Sequence, residues 1–182
     1  MTNTALDLVK ALVAFDTTSR GSNLALIDFA QAIIEKAGGR CRRTFDATGA
    51  KANLFATFGP DGDGGIVLSG HTDVVPVDGQ DWSSDPFKPE VRGSKLYGRG
   101  TSDMKGFVGV ALHLAAEMGK AKLKRPIHLA LSYDEEVGCV GVTGLLDDLK
   151  KEGIKPALAI IGEPTLMKIV GGHKGGAKLV TT

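Results

Sequence analysis

The residues best suited to chemistry are a histidine and two aspartates that follow an apolar run. Residues 66–73 read Ile-Val-Leu-Ser-Gly-His-Thr-Asp, and Asp103 comes after a loop rich in Pro, Gly and Asp. A neutral imidazole binds a divalent metal when one ring nitrogen is free and the other has an acceptor. Side chains two positions apart in extended chain project to the same side. We therefore predict that His71 binds a metal and that Asp73 orients it.

Further carboxylates follow two later apolar runs, which end in Asp134, Glu135, Glu136 and Glu163. Each group alone has a simpler explanation, because an aspartate before a helix, such as Asp103, can cap it and acidic clusters suit the positive end of a helix dipole. The joint pattern is more specific, since ligands of open α/β sheets gather outside the carboxyl ends of the strands. The sequence therefore predicts a metal site assembled from several strand ends.

The elements that would position these groups alternate between helices and strands. Such alternation implies crossover connections and a three-layer α/β/α fold with a central, mostly parallel twisted sheet. In the third helix we predict that Phe107, Ala111, Leu114, Ala115 and Met118 are buried. The patterns predict helices at 4–15, 22–37, 104–118 and 145–152, and strands at 41–45, 53–58, 66–68, 127–132, 157–161 and 168–172.

Composition excludes several classes of partner. The chain of 182 residues has 22 basic and 21 acidic side chains, so its charge does not suggest nucleic acid or an anionic membrane. No apolar run has the length of a membrane span, and the N-terminus lacks the features of a signal peptide. Cys41 and Cys139 form no C-x-x-C motif. We expect a cytoplasmic protein that acts on a small molecule.

Other candidate residues have structural explanations. The segment Gly98-Arg-Gly100 lacks both the third glycine of a dinucleotide fingerprint and the Gly-Lys-Ser/Thr of a P-loop, so nucleotide binding is not expected. The polar segment 76–91 reads as an ordered surface loop. We assign structural roles to Trp82, Phe87 and Arg99 as anchors of this loop, and to His113 and His128 as surface or core histidines.

Four motifs, in order along the chain, carry a resemblance to a known family. They are Ser-Gly-His71-Thr-Asp73-Val-Val-Pro, Gly-Arg99-Gly-Thr-Ser-Asp103-Met-Lys-Gly, Asp134-Glu135-Glu136-Val-Gly and Gly162-Glu163-Pro-Thr. With them the chain resembles the co-catalytic di-zinc aminoacylases, desuccinylases and carboxypeptidases, which include acetylornithine deacetylase and succinyl-diaminopimelate desuccinylase. Within that family, residues 99–107 and 132–142 look most like acetylornithine deacetylase.

The resemblance implies a metal-dependent reaction. It implies hydrolysis of the amide bond of N-acetyl-L-ornithine to acetate and L-ornithine, a step of arginine biosynthesis, with two divalent metals, zinc or alternatively cobalt. Two such ions lower the pKa of a bridging water, whose proton a general base would pass to the leaving amine. It also implies a cis peptide bond between Asp103 and Met104. The implied roles are His71 and Glu163 on one metal, Asp103 bridging both, Glu136 on the second, Glu135 as general base and Asp73 as the residue orienting His71.

The resemblance also implies a domain boundary. Residues 1–176 correspond to the N-terminal part of the catalytic domain, and residues 177–182 to the start of a truncated lid or dimerisation domain. The family supplies a further histidine to the second metal from beyond Thr182, and His173 does not match that position. We therefore expect a weak or empty second metal site and impaired catalysis by this chain. Full-length members are expected to be homodimers, and the oligomeric state of this chain stays open.

Two alternatives remain at this point. One is another N-acyl amino acid hydrolase of the same family, such as succinyl-diaminopimelate desuccinylase. The other is a catalytically silent metal-binding fragment, which the missing histidine favours. Activity on a panel of N-acyl amino acids would decide the first alternative, and a metal count would decide the second.

Overall fold

The computed structural model describes residues 4–172 and contains a central sheet with helices against both of its faces. Strands β1, β2, β3, β6 and β7 form this sheet, and β4 and β5 form a separate hairpin. The strands are β1 (Arg40–Phe45), β2 (Ala52–Phe58), β3 (Ile66–His71), β4 (Glu90–Arg92), β5 (Lys95–Tyr97), β6 (Ile127–Ser132) and β7 (Leu158–Ile161). The helices are α1 (Ala5–Val13), α2 (Leu24–Lys36), α3 (Lys105–Lys120) and α4 (Val142–Lys151).

The order of the strands brings three carboxyl ends together. The sheet order is β1-β2-β6-β3-β7, in which β2 is antiparallel to both neighbours and β3 is parallel to both β6 and β7. Only β2 therefore runs against the other strands, which confirms the predicted mostly parallel sheet. The register pairs His71 with Ser132 and Ser69 with Ile161, so β3, β6 and β7 end at the same edge.

Helices α1, α2 and α3 cover one face of the sheet. Alternate residues of a strand point to opposite faces, and in β2 the residues Leu54, Ala56 and Phe58 point to this side. They are at most 1% exposed, and burial of such side chains from water is the main stabilising contribution here. The helices contribute, among others, Leu12, Ile27, Ile34, Leu112 and Ala115 to this core.

Helix α4 covers part of the opposite face. Its Leu145 is 2% exposed and packs with Phe55, Val67 and Ala130, which point away from the first core. The three predicted layers are therefore present, although the second core is smaller. Beyond it, the β7 side chains Leu158, Ile160 and Ile161 are at least 40% exposed.

Several predictions of local structure were wrong. Residues 168–172 form no strand, and the short β4–β5 hairpin closes the surface loop. In α3, Leu114 is 41% exposed, whereas Val108 and Leu112 are buried. The buried stripe is shifted because α1 packs so closely that a Cβ on Gly109 would lie 2.5 Å from Val9.

The remaining predictions concern the histidines and the ends of the chain. His113 is exposed on α3 and His128 is buried in β6, as expected for a surface and a core histidine. His173 and the predicted boundary at residues 177–182 lie outside the described residues. Within residues 4–172, no helix combines the length and the apolar character needed to cross a membrane.

Candidate metal centre

The predicted ligands lie together at the carboxyl ends of three neighbouring strands. His71 is the last residue of β3, Glu135 and Glu136 follow β6, and Glu163 follows β7. Since these strands are parallel neighbours with aligned ends, their following residues meet above the same edge of the sheet. The fold thus brings together side chains that are up to 92 positions apart.

Asp103 reaches the same place from the N-terminal end of α3. The N-cap of this helix is Met104 without a side-chain cap, so Asp103 does not cap the helix. Two glycines let the helix approach the strands: a Cβ on Gly162 would lie 2.0 Å from the Phe107 ring, and one on Gly70 would lie 3.0 Å from Met104. The peptide bond between Asp103 and Met104 is cis, which confirms that prediction.

Distances within the cluster suit a shared ion. The His71 Nε2 atom lies 3.0 Å from Asp103 Oδ1, 3.8 Å from Glu163 Oε1 and 4.0 Å from Glu135 Oε2. Two sets of potential ligand atoms each lie within 4.8 Å of one another. One set is His71, Glu135 and Glu163, and the other is His71, Asp103 and Glu136. Distance alone therefore does not separate Glu135 from the ligands.

Asp73 lies beside His71, but its main-chain carbonyl makes the shorter contact. His71 Nδ1 is 2.9 Å from the Asp73 carbonyl oxygen and 3.5 Å from the carboxylate. Donation from Nδ1 to this carbonyl leaves Nε2 as the nitrogen that faces the cluster. The Asp73 carboxylate accepts hydrogen bonds from the Ser19 hydroxyl at 2.7 Å and from the Glu135 and Glu136 amides at 3.1 and 3.3 Å. Asp73 thus joins the histidine to the acidic segment.

The cluster carries unusual proton affinities. Burial lowers the pKa of His71, but contacts with Asp73 and Asp103 outweigh this and raise the pKa to about 9. Burial and the nearby Asp103 raise the pKa of Glu136, and burial raises that of Glu163 despite the opposing charge of His71. Without a metal, His71 is therefore an imidazolium at neutral pH, and its Nε2 proton occupies the position facing the carboxylates.

The chemistry of the donors fits a divalent cation. One imidazolium faces four carboxylates, and within residues 4–172 none of those four pairs with lysine or arginine. Like charges held this close repel one another unless a cation separates them. Imidazole nitrogen and carboxylate oxygen are ligands that zinc and cobalt accept. The residues present are therefore suitable for binding a metal.

Three residues at the site were not identified from the sequence. The Ser19 hydroxyl donates to Asp73, and the Lys51 ammonium donates to Asp134, which precedes the two glutamates. The Cys139 thiol lies 3.3 Å from Glu135 Oε1. None belongs to a spacing pattern that indicates metal chemistry. Each reaches the site only through the folded arrangement of distant segments.

The loop residues near the site have structural contacts, as expected. The Arg99 guanidinium lies 5.1 Å from the centre of the Trp82 ring. Trp82 and Arg99 both donate to the side-chain oxygen of Gln80. These contacts join the first part of the surface loop to the segment that follows β5.

Comparison with known proteins identifies relatives of the whole segment. Residues 67–174 match the sequence profile of peptidase family M20/M25/M40. The chain is 36% identical to acetylornithine deacetylase of Pasteurella multocida over 177 residues, covering 93% of this chain and 45% of that protein. It is 43% identical to acetylornithine deacetylase of Buchnera aphidicola over 125 residues, covering 69% of this chain and 32% of that protein. The chain thus spans less than half the length of these curated relatives.

Solved structures share the fold. The metallo-carboxypeptidase Sso-CP2 from Sulfolobus solfataricus matches with a TM-score of 0.73 at 20% identity, covering 88% of this chain and 37% of that chain. Human carnosine dipeptidase 1 matches with a TM-score of 0.70 at 24% identity, covering 81% and 35%. At such identities the likeness concerns the arrangement of helices and strands alone.

Proposed function

The chain belongs to peptidase family M20/M25/M40, and on this basis we propose that it is the metal-binding part of a hydrolase that cleaves the amide bond of an N-acyl amino acid. The observation that carries the proposal is the convergence of His71, Asp103, Glu136 and Glu163, with Glu135 beside them. Two of the curated relatives, at 36% and 43% identity, are named acetylornithine deacetylase. We therefore propose N-acetyl-L-ornithine as substrate, with acetate and L-ornithine as products of a step in arginine biosynthesis.

We take the individual roles of the ligands from the family resemblance, because distance alone does not separate them. His71 and Glu163 would hold one divalent ion, Asp103 would bridge two ions, and Glu136 would bind the second. Zinc is the preferred ion and cobalt an alternative, because both accept one nitrogen and several carboxylate oxygens. When bound, such ions polarise a carbonyl and lower the pKa of water.

Glu135 would act as the general base. It accepts a proton from the water that adds to the amide carbonyl, and it donates that proton to the leaving amine nitrogen as the carbon–nitrogen bond breaks. The Cys139 thiol, 3.3 Å from Glu135 Oε1, helps to fix this carboxylate. Asp73 would hold the Glu135 and Glu136 amides and keep His71 Nδ1 protonated, so that Nε2 faces the metal.

The activity is proposed for the whole protein, because the chain spans 45% of the Pasteurella relative. We propose that residues 1–176 are the N-terminal part of the catalytic domain and residues 177–182 the start of a lid or dimerisation domain. Within residues 4–172, Asp103 and Glu136 are the groups that we assign to the second ion, so we expect the turnover of the chain alone to be low. We also propose that the complete protein is a cytoplasmic homodimer.

A metal count together with a substrate panel tests the proposal. Turnover of N-acetyl-L-ornithine and of N-succinyl-L,L-diaminopimelate is measured for the chain and for a longer form, each loaded with zinc or cobalt. We expect the longer form to prefer the acetyl substrate and to exceed the chain alone. Equal turnover by both forms would contradict the expected impairment, and preference for the succinyl substrate would identify a desuccinylase.

Two matched substitutions separate the base from the ligands. Glu135→Gln should abolish turnover in the longer form and retain metal, because the amide cannot take the proton. Glu163→Gln should lower metal affinity as well, because it removes an anionic ligand. If Glu135→Gln lost metal to the same extent as Glu163→Gln, the assigned roles of these two residues would be wrong.

A second function is favoured by one feature of the cluster. Both sets of potential ligands share the single histidine His71, so residues 4–172 offer only one nitrogen ligand. A catalytically silent module that holds one ion would have this composition. Elemental analysis discriminates: two tightly bound ions favour the hydrolase, and one ion without turnover in the longer form favours the silent module.

A further inference from the structure

We propose that Lys51 is a positioning residue for the metal centre. Its ammonium group joins two segments of the chain that together hold Asp73 and the two glutamates that follow β6. Lys51 touches neither the proposed ligands nor Glu135, so it would act through Asp134 and Ser19. The inference rests on the proposed metal-binding function, although the contacts themselves do not require the ion.

The fold fixes the backbone of Lys51 next to the end of β6. Lys51 closes the turn between β1 and β2: its amide donates to the Asp46 carboxylate at 2.9 Å, and its carbonyl accepts from the Asp46 amide at 3.0 Å. The antiparallel register places Leu54 of β2 opposite Leu131 of β6. The start of β2 therefore lies beside the end of β6, which Asp134 follows.

The ammonium group is enclosed by acceptors from two segments. The Lys51 Nζ atom lies 2.6 and 2.7 Å from the two Asp134 carboxylate oxygens and 2.6 Å from the Ser19 carbonyl oxygen. The side chains of Lys51 and Asp134 are only 18% and 14% exposed. Ion pairs shielded from solvent in this way are stronger and more directional than pairs on the surface.

Both contacts lead directly to the metal cluster. On one side, the Ser19 hydroxyl donates to the Asp73 carboxylate at 2.7 Å. On the other, Asp134 has φ of +55°, a left-handed conformation that non-glycine residues adopt rarely. The next two residues donate their amides to the same Asp73 carboxylate. Loss of the ammonium would release Asp134 and loosen the turn that aims Glu135 and Glu136.

A comparison of three variants tests the proposal in the 182-residue chain. Lys51→Met removes the ammonium and keeps the length of the side chain, and Lys51→Arg retains a cation. Arg43→Met is the control, because it removes a partly buried cation, 23% exposed, that pairs at 2.7 Å with Asp28 of α2 and not with a residue of the cluster. Titration with Co²⁺ gives the dissociation constant and the visible absorption spectrum of the bound ion.

We expect Lys51→Met to weaken Co²⁺ binding about 10-fold and to shift the spectrum, as is typical for residues that orient metal ligands. Lys51→Arg should recover most of the affinity, and Arg43→Met should match the wild type. In a double-mutant cycle, the variant with both Lys51→Met and Asp134→Asn should lose less Co²⁺-binding free energy than the two single variants lose in sum. We expect this because the two residues act as a unit. Additive losses would contradict action through Asp134.

Amide hydrogen exchange in the metal-free chain provides a second readout. Lys51→Met should speed exchange of the Glu135 and Glu136 amides more than Arg43→Met does. If the wild type bound no Co²⁺, the proposed metal function would fail, while the exchange data would still decide whether Lys51 positions this segment. Equal behaviour of Lys51→Met and Arg43→Met in both measurements would overturn the inference.

Discussion

The two ends of the central sheet contain the same residue types in different arrangements. At the carboxyl ends of the parallel strands, buried His71 faces Asp103, Glu135, Glu136 and Glu163. At the opposite end, buried His128 borders a small cavity that is also lined by Asp61, Asp63 and Glu152. Within the described residues, only the first group brings its potential ligand atoms within metal-binding distance.

Besides this difference in convergence, the two ends differ in how their charges are compensated. At the edge of the sheet where the parallel strands begin, Arg40 pairs with Asp61 at 2.6 Å, and Arg42 pairs with Glu152. Burial and the charge of Arg40 lower the pKa of His128, whereas carboxylates raise that of His71 to about 9. Composition alone is therefore not enough to indicate a metal site. A site needs carboxylates that converge and have no arginine or lysine of their own.

The largest expected effect is on metal affinity. His71→Asn should weaken binding of Zn²⁺ or Co²⁺ by more than about 100-fold, because it removes a ligand shared by both sets, and even indirect partners cost about 10- to 100-fold. His128→Asn should leave the affinity unchanged. Isothermal titration of both variants makes the comparison. Equal losses in the two variants would remove the distinction between the two ends.

The next effect is a pH dependence that only His71 should produce. Its pKa is raised from 6.5 to about 9 in the folded chain, so its stabilisation is complete below pH 6.5 and is lost as the pH rises towards 9. Lys105 has the opposite effect on stability above pH 8. Burial lowers its pKa to about 8, so above that pH the ammonium loses its proton and the cost of burying its charge disappears. Between pH 6.5 and 8 the metal-free chain should therefore lose about 1 kcal/mol of unfolding free energy.

Urea unfolding at pH 6.5 and pH 8 measures this loss. His71→Asn should abolish the difference between the two pH values, whereas His128→Asn should preserve it. Saturating Zn²⁺ should also reduce it, because the metal replaces the proton on Nε2. A wild-type chain with equal stability at both pH values would show that the carboxylates do not hold His71 in its charged form.

A smaller effect, on the unfolding free energy, is expected at the edge of the sheet where the parallel strands begin. Arg42→Met removes the pair with Glu152 and the guanidinium 5.4 Å above the Phe55 ring. Glu152 is 47% exposed, so screening limits the loss of unfolding free energy to about 1 kcal/mol. The variant should still bind no Zn²⁺ at this end. A new tight site there would mean that charge compensation, rather than convergence, separates the two ends.

The smallest effect should come from the exposed pair of Arg40 and Asp61, whose side chains are 53% and 93% exposed. Arg40→Met should change the unfolding free energy by only a few tenths of a kcal/mol, because a solvated pair contributes little. The urea unfolding midpoints of Arg40→Met and Arg42→Met, measured together, show which variant loses more stability. A larger loss for Arg40→Met would show that the edge where the parallel strands begin depends on its surface charges.

The candidate metal centre could be predicted from the sequence because its residues follow strands. A strand end can be read from an apolar run, and parallel neighbours place successive ends together, so His71, Glu136 and Glu163 could be expected to meet. Asp103 was harder to interpret, since the position before a helix also suits a cap. The family resemblance favoured a metal ligand there, and the structure agrees, since the N-cap of α3 is Met104.

Other features could not be predicted, because they depend on register and close packing. The contact between Lys51 and Asp134 requires the pairing of β2 with β6, and no local pattern reveals that pairing. The exposure of Leu114 follows from the close approach of α1 to α3, which rotates the buried stripe. Spacing also indicated Asp73 as the partner of His71, but could not tell that its carbonyl makes the shorter contact.

We propose that the carboxyl ends of β3, β6 and β7 form a site for divalent metal. The most direct test is an anomalous difference map from crystals of the 182-residue chain grown with Zn²⁺, collected on both sides of the zinc absorption edge. We expect a peak within bonding distance of His71 Nε2 and of carboxylate oxygens from Asp103 and Glu163. A map with no peak there, or with its strongest peak beside His128, would contradict the proposal.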